Sequence, residues 1–281
     1  MPYALVNGRL LTEAGFVQGR AALIDGDRFT AVVDESDPRC ARSTPVDLGG
    51  RMLLPGFIDT QVNGGGGVQF NDDPSVEAIR VIGRAHRRFG TTGFLPTLIS
   101  DEPAVMARAI AAVGAAIEAG VPGLLGIHIE GPFLNEARKG VHDPAKFRDL
   151  DDAAVRLLTS LQAGKTVVTL APEVTTPEVI ARLSAAGVLV SAGHSDASHA
   201  VIRSALRSGL RGFTHLFNTM SQMTGREPGV VGAALDDASG WCGIIVDGRH
   251  VDPVMLRIAL RCRPHDRFML VTDAMACVGT A

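Results

Sequence analysis

From Gly56 onward, short apolar runs alternate with polar loops and with Ala- and Leu-rich segments of helical length. Eight of the runs are strand candidates: Gly56–Gln61, Gly93–Leu98, Leu124–Glu130, Thr166–Ala171, Val188–His194, Gly212–Phe217, Trp241–Asp247 and Arg267–Asp273. Several are continuously apolar, as suits parallel strands covered on both faces. The intervening segments carry helix punctuation. Thr176-Pro177-Glu178 and Asp252-Pro253 place Pro at a first helical position behind a capping side chain. Gly164, Gly187 and Gly209 stand where helices are expected to have ended. Strand and helix alternating eight times predict an α/β fold, a (β/α)8 TIM-type barrel. An open doubly wound sheet is the competing architecture. No G-x-G-x-x-G follows the first strand candidate, which weakens its dinucleotide-binding form.

The beginning of the chain has a different rhythm. Val, Ile and Leu alternate with polar residues over 4–11, 21–24, 29–33 and 46–48, broken by Asn7-Gly8 and Asp25-Gly26, both hairpin signals. This pattern predicts a small N-terminal β-sandwich domain over residues 1–53 and a barrel over 54–281. Only Ala274–Ala281 follow the eighth strand candidate, so the last helix and any strands returning to the β domain are expected to be missing.

Composition narrows the setting. With 46% apolar and 20% charged residues, the chain can bury a sizeable core. A net charge of −3 gives no sign of nucleic acid or an anionic membrane as partner. Cys40, Cys242, Cys262 and Cys277 form no C-x-x-C pair, so neither a thiolate zinc site nor a disulfide framework is indicated, and a reducing compartment fits. The N-terminus lacks the basic-then-apolar pattern of a leader, and no uncharged apolar run reaches the ~18 residues of a membrane span. A cytoplasmic protein is the expectation.

In such a barrel, functional groups sit at the C-terminal ends of the strands. The polar residues there are Gln61 and Asn63, His128 and Glu130, His194, His215, Asp247 with His250, and Asp273. They come from distant parts of the chain, yet barrel closure would point them at one mouth. Glu130, His194 and His215 offer a carboxylate and two imidazoles, suited to a divalent metal with an open position for water. Asp273 is placed to act as a base toward that water. His86, within the basic run Arg84–Arg88, reads as solvated helix surface, and His199 and His265 also read as surface residues. The glycines Gly64–Gly67 read either as an anion cradle or as a flexible loop.

At these residues the chain resembles a known family. LLPGFIDTQVNGGGG (Leu53–Gly67) is similar to the first-strand signature of the amidohydrolase superfamily. GIHIEGPFLNEARKGVHDP (Gly126–Pro144), SAGHSDA (Ser191–Ala197), FTHLFNTMSQMTGREPG (Phe213–Gly229), IIVDGRHV (Ile244–Val251) and VTDAM (Val271–Met275) resemble the N-acetylglucosamine-6-phosphate deacetylase family within it. The resemblance implies hydrolysis of a sugar-phosphate acetamide in amino-sugar catabolism and recycling. It implies Glu130, His194 and His215 as metal ligands, Asp273 as catalytic base and acid, and His142 as a group polarising the substrate carbonyl. It further implies substrate contacts from Val141, Asn218, Thr219, Arg226 and the Asp247, Gly248, Arg249 and His250 loop. In the family the arginine matching Arg226 reaches a neighbouring subunit, which implies a homodimer.

One departure from the wider superfamily bears on the metal count. Many amidohydrolases carry His-x-His at the end of the first strand, part of a two-metal site; here Gln61-Val62-Asn63 stands there. Amides are poor zinc ligands beside imidazoles, so one metal per subunit is expected, zinc before iron. The rival readings are another amidohydrolase, such as a cyclic-amide hydrolase or deaminase, and a non-catalytic fragment with an uncovered apolar face.

Overall fold

The structure is a computed structural model and describes residues 1–280. The chain divides into two compact units, Met1–Gly56 and Phe57–Ala281.

The first unit contains β1 (Tyr3–Val6), β2 (Arg9–Thr12), β3 (Gly15–Val17), β4 (Arg20–Asp25), β5 (Arg28–Asp34), a single turn of helix α1 (Pro38–Ala41), β6 (Thr44–Asp47) and β7 (Met52–Leu53). These make two small sheets, ordered β5-β4-β1-β6 and β3-β2-β7. Asp25-Gly26 does turn a hairpin, joining antiparallel β4 and β5. Asn7-Gly8 does not. The chain crosses there from one sheet to the other, because β1 pairs with β4 and β6 while β2 pairs with β3 and β7. Asn7 adopts a left-handed conformation at φ 55°, and its side-chain amide donates to Asp47. The dipeptide signals the turn, but the strands it serves are set by longer-range pairing.

The second unit begins with β8 (Phe57–Val62) and a short hairpin, β9 (Gly64–Gly65) with β10 (Val68–Gln69). It continues as α2 (Val76–Arg87), β11 (Thr91–Ile99), α3 (Pro103–Glu118), β12 (Gly126–Glu130), α4 (Asp152–Leu158), β13 (Lys165–Leu170), α5 (Pro177–Ala185), β14 (Leu189–Ala192), α6 (His199–Arg207), β15 (Leu210–Phe213), α7 (Gly229–Asp236), β16 (Trp241–Ile244), α8 (Pro253–Cys262) and β17 (Phe268–Leu270). Eight strands, β8 and β11 to β17, form one parallel sheet in sequence order. The first and last meet beyond the end of β17: Val62 bridges Ala274, and Asp273 N–H donates to the Gln61 carbonyl at 2.9 Å. All eight predicted strands are present, most trimmed at the ends. The sheet is the (β/α)8 barrel, and among the described residues no helix follows β17.

Local chemistry sets the helix ends. Thr176 and Asp252 accept hydrogen bonds from Val179 and Val254 N–H, with Pro177 and Pro253 starting α5 and α8 as predicted. Gly187 and Gly209 follow α5 and α6 at φ 87° and 107°, which glycine adopts without strain. Gly164 differs: it lies at the entry to β13, where a Cβ would come within 2.9 Å of the Leu125 carbonyl oxygen. It is a close-approach glycine rather than a helix cap.

Along β13 the period of two is plain. Val168 and Leu170 join the main apolar cluster together with the helix residues Ile180 and Leu183, while Val167 faces the barrel interior. That interior is not filled. A cavity of about 560 Å³ runs in from the N-terminal ends of the strands, bordered by Trp241, Arg211 and Lys165 at its mouth and by Gln61 and His128 at its floor. Small residues there, Gly212, Gly243 and Ser191, leave space that branched side chains usually occupy.

Two corrections concern positions read from sequence as surface or loop. His86 is 2% exposed, its Nε2 lying 2.9 Å from the Gly64 carbonyl oxygen. The inward face of α2 requires a residue there, and the hydrogen bond satisfies it. The glycine run is neither a cradle nor a free loop. Gly64, Gly66 and Gly67 N–H groups donate to the carbonyls of Ala274, Val278 and Ala276. With those donors spent, they are not free for an anion.

Two outcomes follow. Leu170→Ala should cost ~2–5 kcal/mol of stability in urea unfolding, as deletion of a fully buried side chain does. Burial pushes the Cys242 thiol up to about 12. At pH 8 mass-mapped alkylation should therefore label exposed Cys262 and Cys277 first and Cys242 only on unfolding. Fast labelling of Cys242 in the folded chain would contradict its placement.

Candidate metal and catalytic site

The C-terminal ends of the strands bring together residues separated by more than 140 positions of sequence. Glu130 closes β12, His194 follows β14 by two residues, His215 follows β15 by two, and Asp273 follows β17 by three. His194, His215 and Asp273 all take positive φ, at 49°, 32° and 50°. Non-glycine residues enter this region rarely and at a cost, and such positions cluster at functional sites. Here each turns the chain out of its strand and the side chain in toward the barrel axis.

Glu130 Oε1 lies 3.1 Å from both His194 Nε2 and His215 Nε2, and the two nitrogens are 3.0 Å apart. All three residues are at most 3% exposed. His194 Nδ1 is 2.8 Å from the Arg138 carbonyl oxygen, so Nδ1–H donates outward and the Nε2 lone pair faces inward. Two imidazole nitrogens and a carboxylate oxygen thus converge on one point, an arrangement suited to a divalent cation. Among the described residues, this is the cluster able to hold one. Burial opposes ionisation of Glu130, but the His194 and His215 imidazoles against it hold its carboxyl well below the usual range. Burial opposes the charge on His215 too, and the Glu130 carboxylate raises it nonetheless.

Gln61 and Asn63 serve this cluster by another route than ligation. The Gln61 side-chain amide donates to both Glu130 oxygens at 3.1 Å, and Asn63 Nδ2 donates to Asp273 Oδ1 at 2.6 Å. Burial, and then the nearby Glu130 charge, push the Asp273 carboxyl above its ordinary value. His128, another strand-end residue, turns away. Its ring lies 3.0 Å from the Thr60 carbonyl and 2.7 Å from Thr169 Oγ1, and burial pushes it down to about 4. It is a satisfied core histidine.

His142 packs edge-on against His194, with ring centroids 4.4 Å apart. Ser100 N–H donates to His142 Nδ1 at 3.2 Å, and the Ser100 hydroxyl lies 2.7 Å from the same atom. Nδ1 is therefore an acceptor and the ring proton sits on Nε2. Burial brings His142 down to about 4, so the ring is neutral at pH 7 and presents an N–H donor. No sequence signal marks Ser100, whose role depends on a fold contact across 42 residues. The same holds for Glu173, which accepts from Ser195 Oγ and Asp196 N–H and so fixes the turn after His194.

The remaining candidate positions are more open. Val141 is 77% exposed. Asn218 and Thr219 are half-buried just after His215, with Thr219 at φ 48° and its hydroxyl unpartnered. Asp247 to His250 form an exposed turn in which Asp247 accepts from Arg249 and His250 N–H and pairs with His250 Nδ1 at 2.7 Å. Arg226 is exposed between Met220 and α7.

The amidohydrolase family model matches residues 52–277. The chain belongs to the amidohydrolase family. An N-acetylgalactosamine-6-phosphate deacetylase of Shewanella sp. (strain ANA-3) is 49% identical over 228 residues, covering 81% of this chain and 58% of that protein. An N-acetylglucosamine-6-phosphate deacetylase of Haemophilus influenzae is 36% identical over 280 residues, covering 99% of this chain and 73% of that one. The crystal structure of N-acetylglucosamine-6-phosphate deacetylase from Pasteurella multocida superposes with a TM-score of 0.93 at 37% identity, covering 98% of this chain and 72% of that chain. This amidohydrolase thus spans between 58 and 73% of the length of these relatives.

The cluster can be tested without substrate. Competition against a chelator should show divalent metal binding that His194→Ala weakens by at least ~100-fold, since loss of one of three ligands leaves an incomplete site. Unchanged affinity would remove His194 from the ligand set.

Proposed function

We propose that this amidohydrolase hydrolyses the acetamide of N-acetylglucosamine 6-phosphate to glucosamine 6-phosphate and acetate. The observation that carries the reading is the buried Glu130, His194 and His215 cluster, flanked by Asp273 and by the neutral His142, in a chain of this family. A divalent cation held by those three residues, zinc before iron and one per subunit, supplies Lewis acidity toward the carbonyl and toward water. The other steps fall to the chain's own groups. Asp273, desolvated and oriented by Asn63, takes a proton from the attacking water. The water oxygen bonds to the acyl carbon, and His142 Nε2–H donates to the oxygen on which charge develops. Asp273 returns its proton to the nitrogen as the C–N bond breaks, so one carboxylate serves as base and then acid.

Arg226 and His250 are assigned to the phosphate, for which the planar arginine fork is well suited. Asn218, Thr219, Val141 and the Asp247–Arg249 turn are assigned to the sugar. Arg226 would act in the site of a neighbouring copy, which makes the working form a homodimer. A cytoplasmic setting suits this substrate, because a charged sugar phosphate does not cross membranes unaided. The 49% identity to an N-acetylgalactosamine-6-phosphate deacetylase favours a second reading with the galactosamine epimer as substrate.

Acetate release from the two epimers at equal concentration decides between them. Asp273→Asn should retain metal and lose at least ~1000-fold in kcat, the scale of a lost acid–base group. Near-normal turnover in that variant would refute the base assignment. Release of acetate from neither sugar phosphate would refute the substrate.

A further inference from the structure

Asp59 has no part in the mechanism above, yet it is 2% exposed in the middle of β8. A buried carboxylate away from the reacting groups needs a reason, because desolvating it is costly. Its partners supply one. Oδ2 accepts from the Thr272 hydroxyl at 2.6 Å and from Thr272 N–H at 3.2 Å, while Oδ1 accepts from Gln61 N–H at 3.1 Å. All three partners are donors, so the group works as a carboxylate. Two of them lie on a segment 213 residues away.

That segment is where the barrel closes, and the strand ladder does not close it. β17 ends at Leu270, and Thr272 and Asp273 lie outside any strand. Asp273 is held by its N–H to the Gln61 carbonyl and by Asn63 at its carboxylate, in a left-handed conformation. Thr272, the residue before it, is tied to the barrel wall by Asp59. The same carboxylate holds Gln61, whose side chain donates to Glu130. Asp59 is thus hydrogen-bonded to the residue that precedes the base and to the backbone of the amide residue supporting the metal-ligand carboxylate.

We infer that Asp59 is a positioning residue: through Thr272 it sets the direction of the Asp273 carboxylate at the seam between the first and last barrel strands. This rests on Asp273 being the base. A displacement of ~1 Å in a reacting group lowers rate by about 100-fold while leaving binding contacts in place. The signature is a loss in kcat with little change in KM.

Thr272→Val tests it, removing the hydroxyl while keeping the side-chain shape; Thr272→Ser keeps the hydroxyl. In the metal-loaded chain, Thr272→Val should lower kcat by ~10–100-fold with KM within about threefold. Metal content should be unchanged, and Thr272→Ser should recover most of the rate. Hydrogen exchange of the 271–275 segment should speed up in Thr272→Val and not in Thr272→Ser. Asp59→Asn, which must turn an amide donor toward donors, should lose more. Thr272→Val with a lower melting temperature but unchanged kcat would overturn the proposal, leaving Asp59 a stability residue. If Asp273→Asn is inactive and Thr272→Val is fully active, the positioning role alone falls. If Asp273→Asn is active, base and positioning role fall together. Unchanged exchange at 271–275 overturns the positioning role of the Asp59–Thr272 contact whether or not the chain turns over.

Discussion

At His194, His215 and Asp273 the backbone leaves its strand through a left-handed residue, and the geometry of the mouth depends on that constraint. A parallel strand continued straight would carry its next side chain past the barrel rim. One residue at positive φ folds the chain over and drops the side chain toward the axis. Such residues cost about 1–3 kcal/mol each and persist only where surrounding contacts fix them. The contacts are visible: Arg138 O on the His194 ring, Glu173 beneath the Ser195–Asp196 turn, the Gln61 carbonyl on Asp273 N–H.

Electrostatics then follows from position. Glu130 stands buried with the Gln61 amide donating from one side and two imidazole nitrogens 3.1 Å away on the other. Asp273 stands nearby with a single amide donor and feels Glu130 as a like charge. Two carboxylates in one mouth are therefore driven apart, one held ionised and one raised. Groups of the same kind separated in this way are suited to different tasks, ligand for the first and proton carrier for the second.

The barrel and its strand-end residues were legible because they rest on local signals. Apolar runs set the strands, Thr176-Pro177 and Asp252-Pro253 set helix starts, and a polar residue at the end of an apolar run marks the mouth. What stayed hidden depends on partners far along the chain. His86 sits among arginines in sequence, yet α2 turns it inward to the Gly64 carbonyl. Gly64–Gly67 resembles a flexible loop until the 274–278 segment arrives to take its N–H groups. Asn7-Gly8 carries a hairpin signature, but the pairing of β1 with β4 and β6 assigns it to a crossover between sheets. His128 and Glu130 share a strand and a face, and only the surroundings make one a satisfied core group and the other a ligand candidate.

Gln61 and Asn63 tie both carboxylates to the end of the first barrel strand. Read as sequence, they are losses, two amides where a second metal would need imidazoles. In the fold they are donors, each aimed at a carboxylate: Gln61 at Glu130, Asn63 at Asp273. A second cation between those carboxylates would have to displace both amide N–H groups and would find no imidazole on β8 to hold it. The amides do part of a cation's work, satisfying carboxylate lone pairs at short range, without adding a positive charge that would hold Asp273 permanently ionised. That supports the proposed single-metal chemistry, in which the carboxylate must gain a proton and then surrender it.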